Sequence, residues 1–115
     1  MPSLYAQFVE EILDLKTLED EDSFVTYEIQ KAGHVVCLKV VNMYIDKKSR
    51  GKNKSIDLLD KMKDIAHSKN CSCLSAQINK ATSEFIQQRT THICRLYGMK
   101  NTYEDSQIII FSRSI

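Results

Sequence analysis

The sequence predicts an α/β fold of the α+β kind, a mixed sheet covered by helices, and three observations carry that reading. Two β-rich runs flank Ala32-Gly33, the pattern of an antiparallel hairpin. A strand, an amphipathic helix and a second strand follow one another between residues 34 and 78, which implies parallel pairing through a right-handed crossover. The remaining periodicities complete an order α-β-β-α-β-α-β without an internal repeat or low-complexity tract. At 115 residues the chain is one domain, 1–115, long enough to bury a modest two-layer core.

Each element has its own warrant. Leu4, Phe8, Ile12 and Leu15 recur at helical spacing with acids on the other face. From Phe24 to Ile29 the chain alternates as a strand, Phe24, Thr26 and Glu28 opposing Val25, Tyr27 and Ile29. His34 to Ile45 is the longest β-rich segment. A helix over residues 55–68 sets Ile56, Leu59, Met62 and Ile65-Ala66 on one face and keeps Asp57, Lys61, Asp64 and Lys69 wet. Cys71 to Ile78 is a central strand, weakly polar throughout. Residues 81–96 form a second helix anchored by Phe85, Ile86, Ile93 and Leu96, and Gly98 ends it because glycine accepts positive φ. Residues 107–111 form a last short strand.

Composition narrows the class. Apolar residues make up 43% of the chain and charged residues 27%, with a formal net charge of +1. No run approaches the roughly 18 apolar residues of a spanning helix, and Met1-Pro2-Ser3 leads into a mixed polar segment rather than a signal peptide. A cytoplasmic protein with no membrane role is expected. The four cysteines do not form a disulfide framework at this size. Cys71-Ser72-Cys73 has one intervening residue and no matching pair, so it reads as strand positions and no metal site is expected.

Charge is unevenly distributed. Acids crowd residues 10–28, where Lys16 is the one base, and Glu19-Asp20-Glu21-Asp22 reads as a solvated connection. Lys47, Lys48, Arg50, Lys52 and Lys54 crowd the loop after the long strand, with no acid among them. That loop opens directly onto a helix whose first amides lack intrahelical partners and whose dipole favours an anion. Arg50 can add fork-shaped contacts to phosphate oxygens. The Gly-Lys-Ser/Thr ending of a P-loop and the spacing of a dinucleotide fingerprint are both absent.

The segment Arg50-Gly51-Lys52-Asn53-Lys54-Ser55-Ile56-Asp57-Leu58-Leu59 resembles the Arg-Gly-x-Gly-x-Gly-x-x-Leu-Leu motif of the GNAT superfamily of acyl-CoA-dependent N-acyltransferases. Arg50 and Leu58-Leu59 match, while Asn53 and Ser55 stand where the motif has glycine. Asn tolerates unusual backbone angles and Ser is small, which leaves room for a cradle. Downstream, Ser75 to Asn79 resembles the family's strand exit, and Arg95-Leu96-Tyr97-Gly98-Met99 its glycine-containing segment. Four residues before Gly98 stands Cys94, where the family often places a tyrosine acid. The resemblance spans about residues 34–111. It implies a mostly antiparallel sheet flanked by helices, abbreviated at the N-terminal part, with acetyl-CoA as cosubstrate. It further implies that Met43, Tyr44 and Ile45 hold pantetheine and acceptor, with Arg50, Gly51, Lys52, Asn53, Lys54, Ser55, Ile56 and Asn79 around the cofactor.

Acetyl transfer to an amine needs a proton acceptor, a polarised carbonyl and a proton for the departing thiolate. A strand amide near Met43 to Ile45 is suited to the carbonyl. Glu28, Tyr44 and His34 are the candidate proton acceptors, and Cys94 and Tyr97 the candidate donors. His92, two positions from Cys94 on a helix, does not face it well enough to make a covalent thiol nucleophile. The leading expectation is an N-acetyltransferase acting by direct transfer on a small amine or a protein amine. The rival is a catalytically impaired CoA-binding or protein-interaction domain, motivated by Asn53, Ser55 and Cys94. No specific nucleic-acid partner is expected, because an extended basic and aromatic surface is missing. A homodimer through an exposed strand edge is compatible with the sequence.

Overall fold

The computed structural model describes residues 3–51 and 53–115. Ser3 caps the first helix, α1 (Leu4–Ile12), its side chain accepting the Ala6 N–H at 3.0 Å. A short strand β1 (Lys16–Glu19) leads into β2 (Ser23–Ala32), and Gly33 at φ 62° turns the chain into β3 (Val35–Ile45). A 3₁₀ turn (Lys47–Ser49) and the loop beyond it precede α2 (Lys54–Ser68), which returns the chain to β4 (Cys73–Asn79). Then come α3 (Glu84–Leu96), β5 (Lys100–Glu104) and β6 (Ile108–Ser114).

The six strands lie in the order β1-β2-β3-β4-β6-β5. Only β3 and β4 run parallel; the other junctions are antiparallel. The expected hairpin and parallel crossover are both present, and β4 is interior to the sheet, as its weak polarity implied. Leu58, Leu59, Met62 and Ala66 of α2 and Cys94 of α3 bury against Val25, Leu38, Val40, Leu74, Ala76 and Phe111. Fully burying one such side chain is worth roughly 1.5–3 kcal/mol, so this one-sided layer is the main source of stability. The other face carries α1, whose buried Ala6 and Val9 lie outside that cluster, and Tyr5 meets Phe24 at 4.9 Å between ring centroids.

Several sequence expectations need correction. Two edge strands, β1 and β5, went unread because one has a single apolar residue and the other is exposed along its whole length. The apolar stripe Leu4-Phe8-Ile12 does not anchor α1; those side chains are exposed and the small Ala6 and Val9 allow the close approach. On α3, Phe85, Ile86 and Leu96 are exposed, and Cys94 is the buried anchor. This helix also starts three residues later than expected. Asn79 Oδ1 accepts the Ala81 N–H at 2.8 Å in a turn, and Ser83 provides the cap. Its end is as read: Gly98 sits at φ 80°, and the Met99 N–H reaches back to the Cys94 carbonyl at 3.0 Å.

Candidate functional site

The parallel pair is short. β3 and β4 are in register only from Cys37 opposite Cys73 to Val40 opposite Ala76, although β3 runs on to Ile45 and β4 to Asn79. The cause is visible in the β2–β3 ladder. Thr26 pairs with Asn42 and Tyr27 with Val40, so Val41 is an extra residue, a bulge that bends the strand and ends pairing on its far side. Beyond it the two strands part, and a cavity of about 320 Å³ occupies the wedge. Val40 to Ile45 and Ala76 to Asn79 form two walls, Ser55 and Leu59 of α2 a third, and Ile86, Arg89, Thr90, Ile93 and Cys94 of α3 a fourth.

Register also fixes which backbone groups face the wedge. The Asp46 N–H donates to the Asp22 carbonyl at 2.7 Å, which makes Tyr44 opposite Phe24 and Asn42 opposite Thr26 the hydrogen-bonded pairs of this ladder. The amides and carbonyls of Met43 and Ile45 therefore point the other way, into the wedge. Arg50 confirms the direction for Ile45, since its Nε donates to that carbonyl at 2.9 Å. Tyr44 lines the cavity half exposed, stacked on Phe24 at 5.9 Å and covered by the Arg50 guanidinium at 5.3 Å.

Two residues of the loop entering α2 have left-handed backbone. Gly51 at φ 83° and Asn53 at φ 58° both take left-handed conformations, and a β-carbon on Gly51 would meet nothing within 4 Å. Asn53 occupies the N-cap position without a side-chain capping bond, so the first-turn amides of α2 have no competitor from their own cap. Ser55 of that turn lines the cavity, while Ile56 packs against the core. Lys52 lies outside the described residues.

Two of the basic residues are not free for an anion. Lys54 pairs with Asp20 at 3.1 Å and with Asp22 at 3.2 Å, and Lys61 pairs with Asp20 at 2.8 Å. The acidic connection is thus no idle solvated loop; it clasps the start of α2. Lys61 and then Lys54 hold the Asp20 carboxyl down to about 2, and a Ser49 hydrogen bond followed by Lys54 holds Asp22 low. Arg50 gives its Nε to the strand end, which fixes its stem and leaves its two terminal nitrogens without a bond among the described residues.

The candidate proton carriers are scattered. Cys94, 2% exposed, lines the cavity, and burial pushes its thiol up to about 11. Tyr97 does not line it: its hydroxyl donates to Asp60 at 2.7 Å on α2, and burial followed by that bond pushes its ionisation up. Glu28 is elsewhere too, ion-paired to Lys39 at 3.1 Å and bordering a separate hollow beside α1. His34 is exposed in the β2–β3 turn, at the far end of the hairpin from the wedge. Of the named donors and acceptors, the structure brings only Tyr44 and Cys94 to the cavity, with Asn79 at its edge. Arg89 and Thr90 were missed; their signal was the helical stripe Ile86-Arg89-Thr90-Ile93-Cys94, legible once Cys94 is taken as facing the ligand. Among the described residues no cluster of His, Cys, Asp or Glu is arranged to hold a metal, and no helix is long and apolar enough to cross a membrane.

Solved structures that share this architecture include GNAT-family acetyltransferases. The NatC complex bound to Gag peptide and CoA matches at TM-score 0.63 and 8% identity, over 81% of this chain and 60% of that one. A GNAT-family acetyltransferase from Listeria monocytogenes matches at TM-score 0.60 and 6% identity, over 82% and 58%. Nourseothricin acetyltransferase matches at TM-score 0.62 and 17% identity, over 84% and 67%. No family model and no curated relative matches the sequence. The chain has the GNAT fold, and the matched region spans about three fifths of the first two of those structures.

Proposed function

We propose that the wedge binds acetyl-CoA and that the protein transfers its acetyl group directly to an amine. The observation that carries this reading is the parting of β3 from β4 after Val40 and Ala76, with the uncapped start of α2 beside the opening. The residues fit such a ligand. Gly51 carries no β-carbon to crowd a ligand, and the α2 amides offer donors and a positive dipole end to phosphates. A bound acetyl-CoA supplies the thioester carbonyl that an amine attacks.

The chain's own groups divide the remaining work. The Met43 N–H, aimed into the wedge by its register, is the donor for the carbonyl oxygen as it gains negative charge. The amine enters uncharged, and Tyr44 is the cavity hydroxyl suited to orient it and to pass its proton on to water as the C–N bond forms. Cys94 keeps its proton through the neutral range because burial raises it, and as a lining residue of the same cavity it is the group we assign as donor to the departing thiolate. A C–N bond forms and a C–S bond breaks; the amine loses one proton and the thiolate gains one. Fold neighbours include one bound to a peptide and one named as a nourseothricin acetyltransferase, so the fold leaves the acceptor open.

The second reading, a CoA-binding or protein-interaction domain without turnover, draws on Asn53, Ser55 and the high thiol of Cys94. Calorimetric titration with acetyl-CoA, followed by thiol release with an amine panel, separates the two. Ser55→Asp is the control. An acid in the first turn favours the helix but sets a carboxylate in the opening, so the fold should hold while binding falls at least tenfold, the response of a charge-assisted contact. Binding by wild type with no thiol release from any amine would select the second reading. No binding by the folded wild type removes the transferase and the CoA-binding domain alike and leaves a protein-interaction domain.

A further inference from the structure

Resting on the acyl-CoA reading, the geometry points to Arg89 of α3, which lines the same cavity as Arg50 and Ser55 of the motif segment, as the side chain that meets the ligand's phosphates. Among the described residues lining the cavity there are two arginines and no acid, so an anion is the ligand charge this opening accepts. The basic loop, which looks like the obvious source of that charge, is partly engaged elsewhere. Lys54 is held by Asp20 and Asp22, and Arg50 by the Ile45 carbonyl and the Tyr44 ring. Lys47 and Lys48 do not line the cavity.

Arg89 is differently placed. It is exposed, and among the described residues it has neither an ion-pair nor a hydrogen-bond partner. The helix itself gives it none: Phe85, Ile86, His92 and Ile93 stand three and four residues away, and no acid does. Depth along α3 orients the ligand. Cys94 is buried, Ile93 and Thr90 are half-buried, and Arg89 and Ile86 are exposed at the rim. Phosphates, costly to strip of water, belong at that rim, and the reacting thioester belongs near the buried end. A planar guanidinium with five donors is suited to this task.

Wild type, Arg89→Ala and Arg89→Lys are each titrated with CoA, 3′-dephospho-CoA and pantetheine, with circular dichroism as the folding control. Arg89→Ala should weaken CoA roughly tenfold or more and leave pantetheine unchanged, with Arg89→Lys in between. Dephospho-CoA locates the contact: a smaller loss than for CoA assigns it to the 3′-phosphate, and an equal loss to the pyrophosphate. CoA binding unaffected by Arg89→Ala, or pantetheine weakened as much as CoA, overturns the assignment while leaving the acyl-CoA reading intact. If folded wild type binds neither CoA nor pantetheine, the acyl-CoA reading fails and this assignment with it.

Discussion

Cys94 shows how one side chain can be legible as an address and illegible as chemistry. Its place four residues before Gly98 marked it as the stand-in for a tyrosine, and the cavity does reach it. A buried structural cysteine is the commoner reading of such a residue and the structure agrees; what only the structure shows is that this burial raises the thiol from 9.0 to about 11. That burial has a thermodynamic signature. A folded-state value above the unfolded one favours the protonated form, so the stabilisation is whole below pH 9 and is lost as pH rises through about 11. A shift of this size corresponds to about 3 kcal/mol. Thermal melts between pH 8 and 11 should show wild type losing stability faster than Cys94→Ala, which has no thiol to ionise. Parallel profiles would mean that Cys94 titrates as an exposed thiol. Glu28 and Tyr97 are the opposite case: plausible in type, they are held by Lys39 and Asp60, partners distant in sequence.

At the scale of elements, what repeats was readable and what docks was not. The hairpin, the crossover helix and the glycine stop of α3 follow from periodicity and from single residues with strong backbone preferences. The clasp between the β1–β2 turn and α2 joins Asp20 and Asp22 to Lys54 and Lys61 across more than thirty positions, and nothing local announces it. It also sets the charge of the candidate site. Both carboxyls lie below the usual 3.8, Asp20 at about 2, so the folded state favours their ionised forms. The clasp is complete above about pH 4 and loosens as pH falls through about 2. Asp20→Asn with Asp22→Asn should release Lys54 beside the opening and tighten acetyl-CoA several-fold at low salt, with the gain shrinking as salt rises. Calorimetry at two ionic strengths checks this; unchanged or weaker affinity would show that Lys54 does not reach the ligand even when unpaired.

For the whole molecule, the sheet consists of β1-β2-β3 and β4-β6-β5 joined by four residue pairs, Cys37 to Val40 against Cys73 to Ala76. The layered class was legible because alternation and helix spacing report burial directly. The wedge was not, because it results from a single extra residue, Val41, in a strand whose composition looks uniform. A ligand that lies between the parted strands must touch both halves, β3 on one side and β4 with α3 on the other. Stability should then rise by mass action, by about 2.7 kcal/mol at a ligand concentration near 100 times Kd. In a domain of this size that raises Tm by roughly 10 °C or more. Hydrogen exchange locates the effect. On adding acetyl-CoA the Met43 and Ile45 amides, which face the wedge, should slow far more than Tyr44 between them, which already bonds to β2. Slowing that is equal at all three positions would point to global stabilisation from a site elsewhere, and the two halves would then be bridged by something other than ligand in the wedge.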